Sequence, residues 1–282
     1  MEAPALAVKE TRVRPVLRWC GGKGWAAPFL APPFREYLER SRGFYHEPFL
    51  GGGAVALALA HGRPMRLSDA CLPLIQLFRA VAANPDRVYA EMRELAVRGV
   101  DEATYYEERR KALTPGRFLY LNCLSYNGLW RENASGQYNV PFGDRGDDPF
   151  SSREAIQAVS HVLTGAQLQT WDFRRALRNV KPGDLVVVDP PYAGGFASYT
   201  RKGFTDGDQQ ELAAMLEQLA GTGAAVVACN ADTPAVRSWY SWTPHVISTG
   251  ERRAINRDGA ARAKKAECLL MTTDLALLGD LA

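Results

Sequence analysis

The chain has 282 residues, 46% of them hydrophobic and 23% charged, with a net charge of +3. This composition excludes a disordered, collagen-like or coiled-coil protein, and so small a net charge does not by itself announce nucleic acid. The longest nearly uncharged apolar stretch, Pro48 to Ala60, is broken by three glycines and falls short of the ~20 residues that span a membrane. The start, Met-Glu-Ala-Pro, lacks the pattern of a signal peptide, so a cytoplasmic location is expected. Cys20, Cys71, Cys123, Cys229 and Cys268 are scattered, with no Cys-x-x-Cys pair. Neither a disulfide framework nor a zinc site is encoded, and no metal is expected.

In chain order, Gly43 to Phe49 reads as a strand running into Leu50-Gly51-Gly52-Gly53 and the helical AVALALAHG. A strand, a glycine turn and a helix bring backbone close to a ligand and aim free N–H groups at it, although the same turn also serves tight packing. A second strand, Met65 to Ser68, ends at Asp69, eighteen residues after Gly51, where an acidic side chain takes ribose hydroxyls. From about Cys71 to Thr164 the signals are helical, with Asn84 as a cap, Pro85 at the first position and Val88, Met92 and Leu95 on one face. Within this segment RENASGQYNV, with Ser135-Gly136 at its centre, predicts a β-hairpin.

The run Asp184 to Val188 fits a strand buried on both faces and stops at Asp189-Pro190-Pro191-Tyr192. Leu212, Met215, Leu216 and Leu219 then mark an amphipathic helix ending at Gly221, and a buried strand follows at Ala224 to Cys229. Alternation of strand and helix predicts an α/β fold. The two prolines lack N–H groups, which leaves the Pro190 carbonyl free to accept. Together with Asp189 it can take both protons of an exocyclic amine while Tyr192 stacks on the ring.

Four segments carry a wider resemblance: Leu17-Arg18-Trp19-Cys20-Gly21-Gly22-Lys23, Glu47 to Gly53, Asn122 to Gly143, and Asp189 to Tyr192. In these the chain resembles the Dam-type (D12 class, alpha group) DNA adenine-N6 methyltransferases. A weaker match is the tail ERRAINRDGAARAKKAE followed by a strand. The resemblance implies a Rossmann-like S-adenosylmethionine-dependent core at 1–70 and 165–282, with an inserted helical recognition lobe at 71–164 carrying the hairpin. It implies a bacterial or phage-type enzyme, associated with the nucleoid, that methylates a flipped adenine in double-stranded DNA, within a short palindrome such as GATC.

By the same resemblance Trp19, Lys23, Phe49, Gly51, Gly53, Asp69 and Asp189 bind the cofactor, and Asp189, Pro190 and Tyr192 are catalytic. Arg18, Tyr126, Asn127, Leu129, Arg131 and Pro141 contact DNA. Arg18 stands where many relatives have lysine, and Cys20 where they usually have alanine. Three basic clusters could align on one duplex: Arg12, Arg14, Arg18 and Lys23; Arg109, Arg110, Lys111 and Arg117; and Arg252, Arg253, Arg257, Arg262, Lys264 and Lys265. Each could equally be a solvated face. The alternatives are an RNA or protein-amide methylase, an NAD enzyme suggested by Gly51-x-Gly53-x-x-Ala56, and a catalytically silent DNA-binding module.

Overall fold

A computed structural model describes residues 13–59, 62–133, 135–144, 146, 148–192, 203–253 and 264–272. Its centre is a seven-stranded sheet in the order β3-β2-β1-β4-β5-β7-β6. The strands are β1 Tyr45–Glu47, β2 Met65–Asp69, β3 Gln167–Thr170, β4 Leu185–Val188, β5 Ala225–Ala231, β6 His245–Arg253 and β7 Lys264–Met271. The first five run parallel, whereas β7 lies antiparallel between β5 and β6. Strands β1, β4 and β5 are buried on both faces; β4 and β5 accordingly read as largely apolar runs rather than alternations, whereas β1 buries the polar His46 and Glu47.

Helices α1 Ala27–Ser41, α2 Ala54–Ala58 and α3 Leu72–Ala83 flank the first strands, and α4 Pro85–Arg98, α5 Glu102–Arg109, α6 Pro115–Leu124 and α7 Arg153–Val162 separate β2 from β3. The expected cap holds: the Asn84 side chain accepts from Arg87 N, with Pro85 at the first helical position. Val88, Met92 and Leu95 form the buried stripe of α4. One continuous apolar cluster joins α1 and the sheet to α3–α7. A second covers the other face of the sheet, beneath α8 Phe173–Ala176, α9 Asp206–Gly221 and α10 Pro234–Trp239. Among the described residues no helix is long and apolar enough to cross a membrane.

Two expectations change. The helix after the glycine turn is only five residues long, so it lacks the several turns over which a helix dipole accumulates. The predicted hairpin shortens to isolated antiparallel bridges, Glu132 with Tyr138 and Ser125 with Phe142. Here Asn133 Oδ1 accepts from the backbone N–H groups of Ser135 and Gln137, which reinforces the backbone bonds Gly136 N to Asn133 O, Asn133 N to Gln137 O and Asn139 N to Arg131 O.

Candidate active site

The order of the strands reverses between β1 and β4, and at such a switch point an open α/β sheet forms a crevice outside the carboxyl ends of its strands. Phe49 and the glycine turn follow β1, Asp69 ends β2, and Asp189 follows β4 directly. The fold therefore converges three sequence-distant acidic and glycine segments on one edge.

Asp69 organises the glycine turn. Its Oδ2 accepts from Gly51 N at 3.0 Å and its Oδ1 from Cys71 N at 2.9 Å. Burial raises its pKa, and the donated N–H groups pull it back toward the charged form. Gly51 sits at φ 49°, and a Cβ there would come within 2.8 Å of Trp19 Cδ1, so conformation and the indole both demand glycine. The turn's N–H groups are not free as expected: Gly51 donates to Asp69 and Gly53 to the Leu50 carbonyl. Phe49 stacks on Phe173 and meets Phe204 edge-on, each at 5.7 Å between centroids. Phe173 and Phe204 carried no motif in the sequence and enter this wall only through the fold.

The Asp-Pro-Pro-Tyr turn is fixed from behind. Gln209 on α9 donates to the Pro191 carbonyl at 2.7 Å, and Asn230 on β5 donates to Gln209 at 3.0 Å. Both amides are buried, so each must be hydrogen-bonded to avoid a desolvation cost.

In front of that turn lies Lys23, only 5% exposed, with Nζ 2.8 Å from Asp189 Oδ2 and 4.9 Å from the Tyr192 ring centroid. Glu267 of β7 stands 4.0 Å from the same ammonium. Burial pushes the Asp189 carboxyl up, and Lys23 opposes this. Burial would likewise neutralise Lys23, but Asp189 and the other acidic groups reverse that and hold its pKa above the ordinary value. Asp189 Oδ1 and the Tyr192 hydroxyl are buried and complete no hydrogen bond among the described residues, although Tyr192 lies near enough to favour the ionised aspartate. Glu47 donates nothing to this balance at neutral pH: burial, with Asp189 and Asp69 nearby, pushes it up to about 8 despite the bond from Tyr45.

The expected DNA-contacting residues collect around the turn after α6. Tyr126–Gly128 is a 3-10 turn with Asn127 at φ 55°. Gly128 packs so closely on Arg18 that a Cβ would fall 2.2 Å from Arg18 Cβ. Buried Asn122 binds both segments, accepting from Arg18 N at 2.9 Å and donating to Arg18 O at 2.9 Å and Gly128 O at 3.2 Å. Tyr126, Asn127, Leu129, Arg131 and Pro141 remain partly accessible, and Arg18 is exposed. The sequence does not mark this role of Asn122, because a polar residue inside a helix shows no partner until the chain is folded. Asn122→Ala should lower stability by roughly 1–3 kcal/mol by leaving the buried Gly128 carbonyl and the part-buried Arg18 backbone groups unpaired, measured by denaturant melts; no measurable loss would contradict the bridging role.

The second basic cluster is largely used internally. Arg117 and Lys111 pair with buried Glu108 at 3.0 and 2.7 Å, and Arg109 donates to the Val140 carbonyl. Arg12, Arg257 and Arg262 lie outside the described residues.

Residues 19–255 match the family described as D12 class N6 adenine-specific DNA methyltransferase. The chain belongs to this family and transfers a methyl group to the N6 amine of adenine in DNA. It is 32% identical to the DNA adenine methylase of Escherichia coli K12 over 272 residues, 92% of this chain and 95% of the relative. It is 31% identical to the Retron Ec67 DNA adenine methylase of E. coli, covering 82% of each chain. Against the Type II methyltransferase M1.LlaDCHI of Lactococcus lactis subsp. cremoris the identity is 28%, over 83% of this chain and 87% of the relative.

Proposed function

We propose that the crevice binds S-adenosylmethionine and a flipped adenine from duplex DNA, with the acceptor amine held at Asp189, Pro190 and Tyr192. The observation that carries this reading is the buried Asp189 Oδ1 with no hydrogen-bond partner among the described residues, beside an aromatic ring and a proline-rich turn. A neutral amine donor satisfies that oxygen. Two carboxylates, Asp189 and Glu267, against one ammonium, Lys23, leave the cluster with one net negative charge, which suits a cationic methyl donor.

S-adenosylmethionine, when bound, supplies a methyl group made electrophilic by its sulfonium, whose sulfur departs as a neutral thioether. Trp19, Lys23, Phe49, Gly51, Gly53, Asp69 and Asp189 would hold it. Each Asp69 oxygen already accepts one N–H and retains a lone pair for a ribose hydroxyl. Asp189 and the Pro190 carbonyl accept the two amine protons, draw the nitrogen toward tetrahedral shape and free its lone pair. Asp189 would then take the proton that the amine nitrogen sheds on accepting the methyl group and pass it to solvent.

Residues 71–164 form the recognition lobe in this reading. Tyr126 and Asn127 wedge beside the flipped base, Leu129 and Pro141 meet a thymine methyl, and Arg18 and Arg131 read guanine, within a short palindrome with GATC as the leading candidate. The enzyme acts on DNA in the cytoplasm. Asp69→Ala should weaken S-adenosylmethionine binding at least about tenfold while changing the saturated transfer rate far less, since a ribose contact is the same in ground and transition states. Calorimetry paired with saturated rates tests this, and unchanged affinity would reject the cofactor site.

A further inference from the structure

Lys23 lies at the head of the turn leading into α1: its carbonyl accepts from Ala26 N and Ala27 N at 3.0 and 2.9 Å. This fixes the root of the side chain. The far end is fixed too, because Nζ donates to the Gly21 carbonyl at 2.9 Å and meets Asp189 Oδ2 at 2.8 Å. An ammonium buried this deeply is normally a liability, and a cofactor contact alone does not require one. The geometry gives it a different task. With Oδ2 tied to Lys23 and Oδ1 without a partner among the described residues, the carboxylate is locked in rotation and offers a single oxygen.

We propose that Lys23 is a positioning residue for Asp189, occupying Oδ2 so that Oδ1 alone is presented to the acceptor amine, and that Glu267 holds the ammonium in register from the neighbouring strand. This rests on Asp189 being the carboxylate that receives the amine. It assigns Glu267, the last residue of the weaker tail match and given no role by it, a part in the reaction. The groups that face Asp189 are Lys23 from the turn leading into α1, Glu267 from β7, Cys229 from β5, Glu47 from β1 and Tyr192 from its own turn. Burial pushes the Cys229 thiol and the Tyr192 phenol well above their ordinary values, and Glu47 titrates at about 8. Below that pH the charges acting on Asp189 are those of Lys23 and Glu267, and they act in opposite senses.

Removing Lys23 therefore makes Asp189 harder to ionise, and removing the Glu267 charge makes it easier. Single-turnover transfer to an adenine-containing duplex, at saturating S-adenosylmethionine from roughly pH 5 to 7.5, reads this directly for wild type, Lys23→Met and Glu267→Gln. The acid limb of the profile should move up by about one pH unit or more in Lys23→Met, with at least about tenfold loss near pH 6, and should move down in Glu267→Gln. A purely structural role lowers the rate by the same factor at every pH, and an acid limb unmoved in both variants would overturn the proposal. Should Lys23→Met fail to fold, Glu267→Gln decides: a limb moving to lower pH supports it, and one that stays or rises overturns it. Asp189→Asn is run alongside. An active Asp189→Asn would reject the reading on which the proposal rests, whereas an inactive one with unmoved limbs in the other variants rejects the proposal alone.

Discussion

Asp189→Ala should lose at least about 100-fold in methyl transfer at saturating cofactor, the scale of removing a positioned acid–base group. DNA binding should stay within a few-fold of wild type, because Asp189 lies in the crevice at the end of β4 while Arg18, Tyr126 and Arg131 gather at the turn after α6. The substitution also strands Lys23, whose ammonium is 5% exposed. Breaking a buried pair from one side costs about 3–5 kcal/mol when both partners are fully buried, and less here because Asp189 is 19% exposed. Some loss of stability should therefore accompany the loss of turnover. Asp189→Asn, which keeps the volume, separates the two effects: equally low turnover with a smaller stability loss is expected. Retention of more than about a tenth of wild-type turnover would remove Asp189 from the chemistry.

Arg131→Ala should erode discrimination at one guanine by about 1–3 kcal/mol, the value of a bidentate arginine contact, without abolishing transfer on the preferred site. The structure gives this expectation a geometric basis. Arg131 Nε donates to Asn139 Oδ1 at 2.8 Å and Nη2 to the Asn139 carbonyl at 3.1 Å. One edge of the guanidinium is pinned, and the Nη1–Nη2 end remains to address the O6 and N7 of a base. Duplexes in which each position of GATC is changed in turn would measure the effect. Uniform weakening across all of them, with no position relaxed, would make Arg131 a phosphate contact instead.

The parts of this molecule that could be read from sequence are those whose physics is local. The apolar run ending at Asp189 could only be a buried strand, and the helix of Leu212 and Leu216 followed from its period. Asp69 was legible because a carboxylate closing the second strand faces the turn after the first. By contrast, β3 escaped notice because in Gln167–Thr170 only Leu168 is buried, leaving no pattern to detect. Helix α1 carries Pro32 and Pro33, which in a sequence look like a break rather than a helix interior.

The site divides in the same way. Asp189, Pro190 and Tyr192 announced themselves by their position at a strand end, but the partner of Asp189 did not. Lys23 reaches it across the fold from the turn leading into α1, and Glu267 arrives because β7 inserts antiparallel beside β5. Neither meeting leaves a local trace. Gln209 and Asn230 also belong to this group, since a buried amide chain supporting a turn is visible only once three elements are packed. The glycine turn shows the opposite case: it lies between a strand and a helix as its sequence implies, but Asp69 and Leu50 already use the N–H groups of Gly51 and Gly53.

The most direct test is to incubate unmethylated genomic DNA with the protein and S-adenosylmethionine, then sequence it with readout of every modified base. The proposed function predicts N6-methyladenine confined to one short palindromic context, and none when Asp189→Ala replaces the wild type. Modification of cytosine, or N6-methyladenine at the same level with Asp189→Ala, would contradict the assignment of the reaction to this crevice.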